Sequence, residues 1–249
     1  MKQKATRAQS AFTLIEVLVV IVVLALVIAS LMVPPRRVHA YDNRAACMNN
    51  LHQLSFAYRI WAEDNGDLWP ARQSVAKGGW ADLLTNADEG ADCWTNYALL
   101  ANDLGQAPKV LICPSDERRP ATNFATDFNN SHLSYFVGVS ANADQPRSIL
   151  GGDRNLGHGT KPDPDYGFSP KSGKGNDVFI PISGPVSWSL KVHSAGNPVG
   201  AGNILLGDGS EQRVTTATFN QPFLRNAPST TNWPAGHAPA TPSIRLIFP

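Results

Sequence analysis

Apolar and polar positions are distributed very differently along this chain. Over residues 11–33 the run AFTLIEVLVVIVVLALVIASLMV is interrupted only by Thr13, Glu16 and Ser30. About 20 consecutive apolar residues suffice for a helix that crosses a bilayer, so the pattern predicts a transmembrane helix over residues 12–33. Pro34-Pro35 follows. Proline removes a helical hydrogen bond and restricts the residue before it, which predicts a kink there. Beyond it Cys47, Leu51, Leu54, Tyr58 and Trp61 recur at helical spacing and predict an amphipathic continuation over residues 34–66, closed by Gly66 and Pro70. Such a stripe is read as a packing face rather than a ligand face.

From residue 67 to 249 the pattern becomes short and broken. Short helices are expected over residues 80–84 and 94–104. Buried strands are expected over residues 109–113, ended by Pro114, and over 133–139, where Tyr135, Phe136 and Val137 favour extended backbone. Residues 153–176 read as a long Gly/Pro loop. Strands are expected over 178–182 and 186–192, with Pro181 and Pro185 suiting edges. Residues 203–214 read as a hairpin turned at Asp208-Gly209. Residues 226–243 look irregular, and Ile244, Leu246 and Phe248 alternate like one face of a last strand.

Composition narrows the function classes. The 249-residue chain has net charge +1 and 16% charged residues. With no basic cluster beyond the first residues, nucleic acid is not an expected partner. Gly 20 and Pro 19 point to a loop-rich head. Lys2, Lys4 and Arg7 precede the apolar run without an acid, which by the positive-inside bias leaves that end cytoplasmic and the head outside. An ionised Glu16 within the run would cost on the order of 2.5–3.5 kcal/mol and needs a compensating partner.

Ala11-Phe12-Thr13-Leu14-Ile15-Glu16 resembles the processing site of type IV prepilins and type II secretion pseudopilins, with Ala11 where that family usually has Gly. The resemblance implies a basic leader at residues 1–11, removed by a prepilin peptidase between Ala11 and Phe12, methylation of the Phe12 amine, and pairing of Glu16 with the N-terminus of a neighbouring subunit. The competing reading is a signal anchor whose Glu16 snorkels to the interface.

The head also carries familiar segments. Cys113-Pro114-Ser115-Asp116, Gly152-Asp153-Arg154-Asn155, and His193 followed by the stretch ending in Asp208-Gly209 resemble the large prepilin-like proteins described by a His…Asp-Gly motif. The interval from His193 to Asp208 exceeds the motif's usual spacer.

No catalytic machinery is apparent. His39, His52, His132, His158, His193 and His237 are scattered, without the pairs or Cys/His spacing of a zinc site. Ser194 beside His193 is not a nucleophile and base, and no Gly-x-Ser-x-Gly elbow is present. The glycines around His158 and Lys174 lack phosphate-loop spacing. Asp153-Arg154 and Glu211-Arg213 read as surface ion pairs. Cofactors are expected to be none; calcium at Asp153 or Asp208 is the alternative, without a recognisable calcium loop. Cys47, Cys93 and Cys113 allow one disulfide in an oxidising compartment, with the pairing open.

The expectation is therefore an α+β pilin-like protein: a long, kinked N-terminal transmembrane helix packed on a loop-rich head with an antiparallel sheet. It is expected to be a non-enzymatic filament subunit of a type II secretion or type IV pilus-like assembly. Its expected partners are other pilin or pseudopilin subunits, the prepilin peptidase, an inner-membrane assembly platform and the lipid bilayer. The alternative is a membrane-anchored extracytoplasmic glycan- or peptide-binding protein, in which Trp69, Trp80, Trp94, Trp188 and Trp233 would stack on ligand.

Overall fold

The computed structural model describes residues 13–31, 36–84, 92–193, 199–224, 227 and 239–249. The leader, Ala11, Phe12, Pro34-Pro35 and Trp233 lie outside the described residues. The chain divides into two compact units, residues 1–39 and 40–249.

The first unit contains helix α1, Leu14–Leu31. Thr13 opens it with a capping box: its backbone N–H and hydroxyl both donate to Glu16 Oε2 at 2.9 Å, and Glu16 N–H donates back to the Thr13 hydroxyl at 3.4 Å. Two orphan helix groups are thereby satisfied reciprocally. At about 1.5 Å per residue, 18 residues extend roughly 27 Å, just under a hydrocarbon core of about 30 Å. Among the described residues no helix is long and apolar enough to cross a membrane.

Helix α2, Arg36–Asp64, runs into the second unit, where it buries Cys47, Leu51, Leu54, Tyr58 and Trp61, the stripe expected from spacing. It is followed by helix α3, Cys93–Leu99, shorter than the expected 94–104 because the chain passes into turns after Leu99.

The head has strands β1 Tyr135–Gly138, β2 Ile149–Asp153, β3 Leu156–His158, β4 Asn176–Pro181, β5 Val186–Trp188, β6 Ala201–Leu206, β7 Glu211–Thr215 and β8 Ser243–Phe248. Six form an antiparallel sheet in the order β4-β8-β1-β2-β6-β7, while β3 pairs with β5 separately. Apolar side chains cover both faces. Tyr135, Val137, Leu205 and Ile247 join α2 and α3 in one core. Phe136, Ile204, Leu206, Leu246 and Phe248 join Val178, Trp188 and Phe219 in the other. Two-sided burial explains why β6 and β8 are buried at every position rather than alternately.

Several expected elements differ. Residues 109–113 are not a strand; Pro108 opens a 3₁₀ turn, Pro108–Leu111, its fixed φ suiting a helical first position. Residues 153–176 are not one loop, since they hold the end of β2, all of β3 and the start of β4. Residues 186–192 yield only β5, which ends at Trp188. The 203–214 hairpin forms, as β6 and β7, and β4 takes the sheet edge that suits Pro181.

Candidate functional site

Four single residues from four separate segments converge on one point beneath α2. Cys47 comes from the buried face of α2. Cys113 follows the 3₁₀ turn, held in place where Asn50 Nδ2 donates to the Ile112 carbonyl at 2.8 Å and Ser134 N–H to the Leu111 carbonyl at 2.9 Å. Asp153 ends β2, opposite Tyr135 of β1. His193 lies beyond β5, directly after Val192, whose φ of 59° is left-handed. That conformation costs a non-glycine residue on the order of 1–3 kcal/mol and persists only where the surroundings enforce it.

The donor atoms of these four side chains all lie within 4.8 Å of one another. Cys47 Sγ is 3.3 Å from Asp153 Oδ1, Cys113 Sγ is 3.3 Å from His193 Nε2, and His193 Nε2 is 3.4 Å from Asp153 Oδ2. All four residues are buried. An outer ring orients them. Tyr135 Oη lies 3.3 Å from Cys47 Sγ, Asn203 Nδ2 donates to the same sulfur at 3.6 Å, and the Asn203 backbone N–H donates to Asp153 Oδ2 at 2.6 Å. Arg44 Nη2 donates to the His193 carbonyl at 2.5 Å. His193 Nδ1 is buried with no hydrogen-bond partner among the described residues.

Burial and mutual contact set the protonation of the cluster. Burial pushes the Cys113 thiol up, but hydrogen bonds with Cys47 and His193 outweigh it and bring the group down to about 7. Burial raises the Cys47 thiol well above the ordinary range, and Cys113 and the Asp153 charge add to that. The Asp153 carboxyl is raised by burial, against the pull of the His193 charge and the Asn203 N–H. Burial lowers the His193 imidazole, but the Asp153 charge and Cys113 reverse this and leave it raised. The Cys113 thiol and the His193 imidazole are thus both shifted in the direction that favours their charged forms. Two soft sulfurs, one imidazole and one carboxylate can also hold a cation or, on oxidation, close a disulfide.

Beside the cluster, Arg154 Nε and Nη2 grip Asp116 Oδ2 and Oδ1 at 2.7 and 2.8 Å. The Ser134 hydroxyl donates to Asp116 at 2.8 Å, and the Arg154 guanidinium stacks 3.4 Å from the Tyr166 ring centroid. Asp153 and Arg154 are therefore not a surface ion pair: both are buried, and each faces a different partner. Glu211 bonds His52 at 2.8 Å rather than Arg213.

The structure brings Cys113, Asp153 and His193 together and separates Asp208-Gly209 from them. That dipeptide forms the β6–β7 turn, with Gly209 at φ 80°. The turn docks on α2, where the Ser55 hydroxyl donates to the Gly209 carbonyl at 2.9 Å and Arg59 donates to the Asp208 carbonyl. Sequence reasoning left Cys47 out of the motif set, although its place on the apolar stripe already pointed it inward. No disulfide joins the three cysteines, which are free and buried. Asp153 keeps company with sulfur and nitrogen, an environment unlike the six to eight oxygens of a calcium site. Of the tryptophans considered for ligand stacking, Trp69, Trp80 and Trp188 are core residues and Trp94 packs partly buried against the same core as Trp69 and Trp80.

An α+β head with a two-face-covered antiparallel sheet, preceded by an apolar helix capped through Glu16, defines the general class. Residues 6–32 match the family described as the prokaryotic N-terminal methylation motif; the chain carries the prepilin-type cleavage and methylation segment of pilins and pseudopilins. No curated protein and no solved structure matches the chain.

Proposed function

We propose that this protein is a structural pilin-like subunit, trimmed between Ala11 and Phe12, methylated on the new amine, and assembled through its N-terminal helix into a type II secretion or type IV pilus-like filament. The observation that carries the reading is the prepilin-type segment over residues 6–32. The surface of α1 supports it. Large apolar side chains between Leu14 and Ile28 are 49–83% exposed, far more contiguous apolar surface than a monomer leaves to water. A bilayer before assembly and neighbouring subunits afterwards would cover it. The apolar run continues past the described helix to residue 33, which supplies the remaining length for a membrane anchor.

Glu16 has two roles in this reading. Within its own chain it caps α1 through Thr13; between subunits its carboxylate would meet a methylated Phe12 amine, since an acid in hydrocarbon is tolerable only when paired. Glu16→Gln separates the two, because the amide oxygen still accepts from Thr13 while the charge is gone. The expected result is normal membrane insertion with filament incorporation lowered as severely as in Glu16→Ala. Intact mass of the membrane-extracted protein should show a chain beginning at methylated Phe12. A retained leader, or full incorporation of Glu16→Gln, overturns the proposal.

A further inference from the structure

We propose that Cys47, Cys113, Asp153 and His193 form a structural zinc site that fastens α2 to the central sheet. The site lies wholly within the second unit and is independent of filament assembly.

Geometry is the starting point. Zinc takes sulfur at about 2.3 Å and imidazole nitrogen or carboxylate oxygen at about 2.0–2.2 Å, so the edges of a tetrahedral site are about 3.3–3.8 Å. With Asp153 Oδ1 as the ligand oxygen, two edges of this cluster already measure 3.3 Å, Cys47 Sγ to Asp153 Oδ1 and Cys113 Sγ to His193 Nε2, and one donor atom from each of the four residues lies within 4.8 Å of the others. A small inward adjustment of side chains completes the tetrahedron. His193 presents Nε2 to the centre, the nitrogen that lies beside both Cys113 and Asp153.

The donor set selects the metal. Two thiolates and an imidazole are soft to borderline ligands, suited to zinc and poor for calcium or magnesium, which require oxygen. Four protein donors fill a tetrahedron and leave no position for substrate or water, which makes the site structural rather than catalytic. Metal binding needs both thiols deprotonated and His193 neutral, so their protons pass to solvent as the ion enters. With Asp153 ionised, three negative ligands around a divalent ion leave one negative charge, and the Arg44 guanidinium, bonded to the His193 carbonyl, stands on that side.

The outer ring fits the same assignment. Tyr135 Oη and Asn203 Nδ2 both address Cys47 Sγ, while the Asn203 N–H fixes Asp153 Oδ2; contacts of this kind orient metal ligands and tune their basicity. A disulfide between Cys47 and Cys113 would use two of the four residues and leave the buried Asp153 and the enforced backbone at Val192 without a purpose.

The test uses the purified full-length chain, freed of metal, loaded with Zn²⁺ or Co²⁺ and desalted. Elemental analysis should find close to one zinc per chain, and the Co²⁺ form should show intense tetrahedral visible absorption with a thiolate-to-metal charge-transfer band. Cys113→Ser and His193→Ala should each weaken retention by at least about 10-fold, as even loss of outer-ring contacts does. Cys93→Ser, at a buried cysteine outside the cluster, should retain the metal fully. Failure of the wild-type chain to retain zinc overturns the proposal, as does a Cys47–Cys113 disulfide in thiol-blocked native material or undiminished retention in both ligand variants. Should those variants not fold, the wild-type Co²⁺ spectrum decides, because a chain without the charge-transfer band has no thiolate ligands.

Discussion

Replacing Asp116 by Asn isolates the energetic role of the ion pair that flanks the cysteine and carboxylate cluster. The side chains of Arg154 and Asp116 are 3% and 0% exposed, and the two bonds between them run in parallel at 2.7 and 2.8 Å. The amide in Asp116→Asn would keep the shape and one acceptor, but it would leave a guanidinium buried with neither a counter-charge nor its bidentate fork. Removing one partner of a buried pair costs on the order of 3–5 kcal/mol, because the penalty is that of the stranded charge. At roughly 2–4 °C per kcal/mol for a chain of this size, the midpoint should fall by roughly 6–20 °C. Trp69, Trp80 and Trp188 are buried in the head, so tryptophan emission during thermal unfolding reports the transition. The double variant Asp116→Asn with Arg154→Met should recover a large part of the loss, since it removes the charge that the single substitution strands. A shift smaller than about 2 °C, or a double variant less stable than Asp116→Asn, refutes the argument that the stranded guanidinium sets the cost.

Two further outcomes follow from local geometry. Gly209→Val forces a β-branched residue into φ 80° and brings a Cβ to 2.7 Å from Ser55 Oγ and the Arg59 guanidinium; a loss of about 1–3 kcal/mol is expected, and an unchanged urea midpoint would show that the turn accepts a side chain without strain. Asp127 accepts from Thr122 N–H at 2.8 Å and Asn123 N–H at 3.3 Å, and the Thr122 backbone bond is the main reason its carboxyl lies below the ordinary range. A lowered native value means that this stabilisation is complete above the unfolded value of about 3.9 and is lost as pH falls through the native one. Amide protection at Thr122, corrected for intrinsic exchange, should therefore be flat above about pH 5 and drop in acid for the native chain. Asp127→Asn should show no such acid step, and an identical step in both proteins contradicts the assignment.

The legible parts of the fold were those whose signal is local and periodic. The stripe from Cys47 to Trp61 sets a helix face through successive turns, and Asp208-Gly209 sets a tight turn within a few residues, so both were readable. β2 was not: its Ile149, Leu150, Gly151, Gly152 and Asp153 form too short a run, with glycines that disfavour strand formation in isolation and are tolerated because the neighbouring strands approach closely. Residues 109–113 misled because an apolar run has no period of its own, and Pro108 decided between strand and turn. The cluster had no local signal at all. Cys47 and Asp153 are 106 residues apart and Cys113 and His193 are 80 apart, so no spacing rule links them. Resemblance singled out Cys113, Asp153 and His193 one by one; only the packing of α2 against the sheet showed that they meet, and with which fourth residue.

The position of β8 has a consequence for how the head is made. Ser243–Phe248 lies between β4 and β1, and among the described residues β4 has no other neighbour in that sheet. A ribosome that has delivered residues 135–215 has therefore supplied five of the six strands but left β4 stranded from the rest. Assembly of the layer waits for β8, which follows every other strand of that sheet along the chain, so the sheet closes as a unit rather than strand by strand in the order of synthesis.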